Sequence, residues 1–288
     1  MRKTVVDIET GTAKLDRGDF EGAITDFTEA MRQDPGNAEA YNRRAAARRH
    51  LGDRDGAIED YTEAIRHDPD HPHASYNRGL LRAEREDYAD AIADFTEAIR
   101  IDPGDAEAHT GRGEARHWTG DHVGAIADFT EAIRIDPEAA DAYSGRGSAR
   151  LAEEEFEGAI VDLSQAIRLD PTDSCSLSFR GDARAEQGDD QGAIADYTAA
   201  LAIEPGSSFA HFRRSLALMR RGKYEAATAD LEEAIRLDPF DADMYYHRGV
   251  VRAGQGDVLG AVDDYRQAIL LDPDHDDALS GLSDLGEE

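Results

Sequence analysis

Residues 91–103 read AIADFTEAIRIDP, and this stretch carries the signals that recur through the whole chain. Ala91, Phe95 and Ala98 stand four and three residues apart, a spacing that puts three side chains on one stripe of a helix. Asp102-Pro103 then closes the helix, because proline drives the residue before it out of the α conformation. Prolines in this setting fall at 35, 69, 103, 137, 171, 205, 239 and 273, an unbroken spacing of 34, and only Pro72 stands outside the series. Each of the eight follows an acidic residue. No insertion or deletion disturbs the beat, so one structural unit is stacked again and again.

Working outward from the prolines, three columns define a second helix. Alanine stands twelve residues before every proline, from Ala23 to Ala261, and again five before, from Ala30 to Ala268. Between them, eight before each proline, comes a large apolar residue: Phe27, Tyr61, Phe95, Phe129, Leu163, Tyr197, Leu231 or Tyr265. A first helix carries a small residue 24 before each proline: Gly11, Ala45, Gly79, Gly113, Gly147, Gly181, Ser215 and Gly249. Glycine inside a helix costs about 0.5–1 kcal/mol relative to alanine, so its recurrence points to close approach of the partner helix. Turn signals such as Leu51-Gly52-Asp53 and Gln187-Gly188-Asp189 separate the two.

These columns resemble the tetratricopeptide repeat, over residues 4–275. The resemblance implies an all-α fold, a right-handed superhelical α-solenoid of helix-turn-helix hairpins. Its expected repeats are 4–37, 38–71, 72–105, 106–139, 140–173, 174–207, 208–241 and 242–275. The first is the weakest, with Asp7 where an aromatic is usual. Residues 276–288 form a capping helix and acidic tail, in which Ala278, Leu279, Leu282 and Leu285 continue the first-helix spacing over the last hairpin.

A charged pattern accompanies the apolar one. Aspartate stands nine residues before every proline: Asp26, Asp60, Asp94, Asp128, Asp162, Asp196, Asp230 and Asp264. Twenty-five before lie Arg44, Arg78, Arg112, Arg146, Arg180, Arg214 and Arg248, with Thr10 breaking the column. Four further on come Arg48, Arg82, Arg116, Arg150, Arg184 and Arg252, with Lys14 and Leu218 in the other two units. Both sets face the seam between the helices. The expectation is a ladder of partly buried Asp–Arg pairs; a ligand-binding stripe of arginines is the alternative.

Composition narrows the function. With 62 acidic against 32 basic residues the formal charge is −30, a field that repels phosphate backbones and anionic lipid. Neither nucleic acid nor membrane is an expected partner; a protein or peptide with basic segments is. Only three lysines occur (Lys3, Lys14, Lys223), and the lone Cys175 excludes a disulfide framework. No apolar stretch reaches the length of a signal peptide or a membrane span, which reads as a cytoplasmic chain. There is no phosphate-binding glycine loop and no nucleotide fingerprint. The chain is read as no enzyme, with no cofactor, no catalytic residues and no metal site. The one histidine grouping, His67, His71 and His73 with Asp68 and Asp70, reads as ordinary turn chemistry. Cys175 is placed on a first helix facing the groove, without a role.

The resemblance further implies that first helices line the concave face. Most groove columns are mixed, as in Glu39, Asn42, Ala46, Arg49 and His50, or Asp141, Ser144 and Ser148. The seventh repeat differs: Phe209, Phe212, Leu216, Met219 and Arg220 form a largely apolar stripe, continued by Tyr246 and Val250. Arg213, Arg221 and Lys223 make the region locally basic, and Trp118 and Tyr76 add isolated groove aromatics. These residues are the expected partner-binding site; packing against neighbouring repeats is the competing reading. The family's carboxylate clamp is not expected, since Asn42 alone fits it and Tyr76, Leu80 and Thr110 occupy the other places. The function so read is a non-catalytic protein-interaction scaffold. The alternatives are a targeting or regulatory region of a larger enzyme or signalling protein, and a self-assembling solenoid unit.

Overall fold

The computed structural model describes residues 8–286. Asp7, Lys3 and the start of the first repeat therefore lie outside the described residues. Among the described residues there are seventeen α-helices and no strand. The chain divides into two compact units, residues 1–149 and 150–288, with the division inside one helix. Unit 1 holds the hairpins α1 (Ile8–Leu15) with α2 (Phe20–Gln33), α3 (Ala38–His50) with α4 (Arg54–His67), α5 (Ala74–Ala83) with α6 (Tyr88–Ile101), and α7 (Ala106–Trp118) with α8 (His122–Ile135). It also holds most of α9 (Ala140–Ala152). Unit 2 continues with α10 (Phe156–Leu169), then pairs α11 (Ser174–Glu186) with α12 (Asp190–Ile203), α13 (Ser208–Arg220) with α14 (Tyr224–Leu237), and α15 (Ala242–Gly254) with α16 (Val258–Leu271). A closing helix, α17 (Asp276–Asp284), packs on α16. Successive helices pack on one another throughout each unit, which is the architecture of an all-α repeat solenoid.

The helix ends follow from local chemistry. Asp53 and Asp121 cap α4 and α8, their Oδ1 atoms accepting from the N–H of Gly56 and Gly124 at 3.0 Å. A Cβ on Gly124 would stand 2.2 Å from the capping carboxylate, so glycine is what lets the cap close. The turn between the helices passes through a left-handed residue, glycine in six repeats, but Glu86 (φ 63°) and Glu154 (φ 60°) in two. At the far end each aspartate before proline sits extended, as Asp102 does at φ −129°.

The core is one aromatic or leucine per repeat between two alanine columns. Phe27, Phe95, Phe129, Leu163 and Leu231 are wholly buried, and Tyr61, Tyr197 and Tyr265 nearly so. Desolvation lifts the Tyr61 hydroxyl pKa to about 12. The glycine column of the first helix lies against these rings: a Cβ on Gly113 would stand 3.0 Å from Phe129. A second glycine presses the same ring from the next repeat, since a Cβ on Gly145 would meet Phe129 at 2.4 Å and one on Gly111 would meet Phe95 at 2.8 Å. Where the core residue is the smaller Leu163, the corresponding position carries Phe179, which packs into the space. At Phe95, Phe129 and Leu163, core size and facing residue thus compensate.

The charged ladder is present in both units. Arg112 grips Asp128 with two parallel bonds, Nε to Oδ2 at 2.9 Å and Nη2 to Oδ1 at 2.6 Å, and Arg116 adds a third at 2.7 Å. Arg44 and Arg48 hold Asp60, Arg78 and Arg82 hold Asp94, Arg180 and Arg184 hold Asp196, and Arg248 and Arg252 hold Asp264 in the same way. Each of these aspartates is buried. The first arginine also reaches backward: Nη1 of Arg44, Arg78, Arg112 and Arg214 donates to Thr28, Thr62, Thr96 and Thr198 of the preceding repeat. Every such guanidinium therefore joins the two helices of its own hairpin and ties that hairpin to the one before. In the seventh repeat, where Leu218 replaces the second arginine, Arg214 alone grips Asp230, and His211 Nδ1 lies 3.0 Å from its Oδ1. These arginines spend their donors on the ladder and on the preceding repeat.

Candidate partner-binding surfaces

The first helices of unit 1 enclose a cavity of about 400 Å³. Tyr76 and Leu80 come from α5, Glu107, Thr110 and Glu114 from α7, and Asp136 and Asp141 from the following turn and the start of α9. One wall is thus aromatic and aliphatic, and the rest carries four carboxylates. The Tyr76 hydroxyl donates to Glu107 Oε2 at 3.1 Å and its ring leans on Phe95, 5.9 Å between centroids. Desolvation, then the like charge of Asp141, raises the Glu114 carboxyl above its ordinary value. Elsewhere the chain pairs its surface carboxylates with arginine, as in Arg49–Glu84 and Arg134–Glu131. Glu114 faces another carboxylate instead. Tyr76, Thr110 and Leu80, the positions that make a carboxylate clamp unexpected, therefore line a cavity rich in carboxylates.

In unit 2 the stripe on α13 lies largely between hairpins. Phe209 is 44% exposed, with Arg213 5.8 Å over its ring. Phe212 is half-buried against the cluster of Ala234, Ile235 and Met244 and leans on His247, 5.5 Å between centroids. Leu216 and Met219 are half-buried too. Tyr246 sits among His247, Tyr265 and His275, and Val250 packs on the cluster holding Val262 and Leu282. Two of the four cations of this region are neutralised within the chain. Arg213 Nε donates to Asp182 at 2.6 Å, and Arg220 Nε donates to Asp190 at 2.6 Å. Asp182 also accepts from the Tyr197 hydroxyl at 2.6 Å; desolvation nevertheless raises its carboxyl pKa. Phe209, Arg220, Arg221 and Lys223 are the exposed residues of this region.

Trp118 is 69% exposed and stacks on Tyr88, 6.2 Å between centroids. The histidines of the second inter-repeat turn go separate ways: His71 Nε2 meets Glu39 at 2.9 Å, while His67 stacks on Tyr41. Among the described residues no group of three or more histidine, cysteine or acidic side chains is placed to hold a metal ion. Cys175 is exposed, and desolvation with the charges of Asp173 and Glu204 pushes its thiol up, away from a reactive thiolate. No helix among the described residues is long and apolar enough to cross a membrane. Sequence columns had marked Tyr76 but not Glu107, Glu114 and Asp136; their signal was two neighbouring acidic positions on one first helix, lost in a background of 62 carboxylates.

The sequence model described as tetratricopeptide repeat matches residues 8–60, 47–106, 76–140, 119–174, 145–208 and 212–278. No curated protein matches the chain. Among solved structures, it is similar to a chain of the APC/C hetero-tetramer Cut9–Hcn1, at 19% identity and TM-score 0.70 over 93% of its length. It spans about half, 53%, of that relative. It is also similar to YrrB, described as a TPR protein with an unusual peptide-binding site, at 23% identity and TM-score 0.57 over 66% of this chain and 97% of that one. A tetratricopeptide repeat protein from Parabacteroides merdae ATCC 43184 aligns at 20% identity and TM-score 0.62, over 85% of this chain and 94% of the other.

Proposed function

Because this chain belongs to the tetratricopeptide repeat family, we propose that it is a non-catalytic scaffold whose first-helix faces bind a protein or peptide partner carrying basic residues. The observation that carries this reading is the cavity between α5, α7 and α9, where Glu114 and Asp141 share the lining and the charge of Asp141 bears on the Glu114 carboxyl. An arginine or lysine side chain entering there would relieve like-charge repulsion, and Tyr76 would cover its aliphatic stem. The peptide-binding site named for YrrB supports recognition of an extended segment on such a framework. In unit 2, Phe209 offers an exposed aromatic anchor beside Arg213, with Phe212, Leu216, Met219, Tyr246 and Val250 further along the same region and Arg220 at the far end of α13. Aromatic and arginine residues of this kind concentrate binding energy at interfaces.

Fluorescence anisotropy with short labelled arginine-rich and glutamate-rich peptides tests the reading. The arginine-rich peptide should bind, more weakly as salt is added. Replacing Glu114 by Gln together with Asp141 by Asn should weaken it about tenfold, equivalent to about 1.4 kcal/mol. Equal affinity for both peptides, or no effect of the double substitution, would overturn it.

A further inference from the structure

Two histidines used by neither the ladder nor the partner surface stand face to face in unit 1. His117 lies in the last turn of α7 and His122 is the first residue of α8. Their Nδ1 atoms are 3.1 Å apart and their ring centroids 4.9 Å. We propose that this pair is a binding site for a late divalent transition-metal ion, Cu²⁺ or Zn²⁺, held between the two Nδ1 atoms. This assignment stands independently of the partner-binding reading.

The spacing suits one ion. Metal–nitrogen bonds of about 2.0–2.1 Å put two cis ligands roughly 2.9 Å apart at a right angle and roughly 3.4 Å apart at a tetrahedral angle. The observed separation falls between these limits, so neither ring has far to move. Ser148 Oγ lies 3.4 Å from His117 Nε2 and can accept the ring hydrogen there, which frees the Nδ1 lone pair for an ion. Without the ion, one of the two rings supplies the hydrogen between the Nδ1 atoms. On binding, that hydrogen moves to the same ring's Nε2, and no proton is lost. Ser148 is then the outer partner that orients a ligating imidazole.

Repeat register shows how this place differs from its counterpart. The columns of His117 and His122 hold Arg49 and Arg54 in the second repeat, and those arginines grip Glu84 at 2.9 and 3.3 Å. The column that supplies Glu84 supplies Ala152 in the fifth repeat. Two cations around a resident carboxylate have been replaced by two imidazoles, in a sequence register that provides no carboxylate. Imidazole nitrogens favour copper and zinc over magnesium and calcium, and the field of a chain with formal charge −30 draws cations in. Water or a partner's side chain completes the coordination.

Trp118, the chain's single tryptophan, reports on the site directly, its ring 6.2 Å from that of His117. Cu²⁺ should be titrated into the full chain with excess Mg²⁺ present to occupy exposed carboxylates. Saturable quenching of Trp118 fluorescence at one equivalent, reversed by Zn²⁺, is the expected result. His122→Gln should weaken the quenching at least tenfold, and Ser148→Ala about tenfold, with helicity by circular dichroism unchanged. Quenching that rises without saturation, that Zn²⁺ does not reverse, or that persists equally in both His122→Gln and His117→Gln would overturn the site.

Discussion

At the scale of the residue, the strongest commitments are the buried aspartates. Asp128 accepts three charge-assisted bonds from Arg112 and Arg116 while itself buried. Removing it would strand two guanidiniums, and breaking a buried pair from one side costs about 3–5 kcal/mol. Both arginines reach solvent along one edge, so Asp128→Ala should destabilise by about 3 kcal/mol, at the lower end of that range. Urea unfolding measures this directly, and an unchanged midpoint would contradict the ladder's structural role. The aspartate and arginine columns were legible because they run almost unbroken. The hydroxyl column seven residues before the prolines, from Thr28 to Thr198, was equally visible in the sequence. Its meaning was not, because the arginine reaches it across a repeat boundary that columns alone do not locate.

A second prediction at this scale concerns acid. His247 sits under Phe212 and Tyr246, and desolvation holds its pKa below the ordinary value of 6.5. The charge of His275 pushes the same way, and Asp241, Asp243 and Asp277 oppose it without prevailing. A histidine depressed in the folded state leaves stability unaffected at high pH. It costs stability as pH falls below the unfolded value toward the folded one, because the unfolded chain then binds the proton more readily. Thermal melts between about pH 7.5 and about pH 5.5, spanning the ordinary histidine value, should show the parent losing more stability than His247→Gln. Parallel curves would contradict the assignment.

At the scale of the element, turns and close contacts decide the outcome. Glu86 and Glu154 occupy the left-handed turn position that glycine holds in six repeats. A left-handed non-glycine residue costs roughly 1–2 kcal/mol, of which glycine's own entropy returns about 0.5–1 kcal/mol. Glu86→Gly and Glu154→Gly should therefore each stabilise by up to about 1 kcal/mol, read as a shift in melting temperature; a loss of stability would show the turns to be set otherwise. Conversely, Gly145→Ala places a methyl 2.4 Å from the Phe129 ring. Overpacking of this kind costs about 1–3 kcal/mol, and the same assay reads it. Helix positions were legible from alanine spacing and Asp-Pro stops. The first glycine column was read correctly as close approach. Gly111 and Gly145 were not singled out, because their partner rings belong to the preceding repeat.

At the scale of the whole molecule, an uninterrupted 34-residue beat supplies two kinds of surface. Second helices bury their alanine–aromatic stripe and turn Glu–Arg pairs such as Glu131–Arg134 outward. First helices keep one face for the interior and leave the other towards solvent. The stripe of repeat seven was legible as apolar, but not that Asp182 and Asp190 from the preceding hairpin neutralise Arg213 and Arg220, since cross-repeat pairing is a property of stacking. Phe209→Ser, at the exposed end of that stripe, should lower partner affinity severalfold without changing the melting temperature; an affinity equal to the parent's would remove the stripe from the interface.

The central claim is that first-helix faces do the binding. Hydrogen–deuterium exchange on the chain with and without a saturating arginine-rich peptide tests it most directly. Slowed exchange should concentrate on α5, α7 and the start of α9, leaving the outer faces of α6 and α8 as they were. Protection confined to the second helices, or none at all in a peptide-bound chain, would contradict the account.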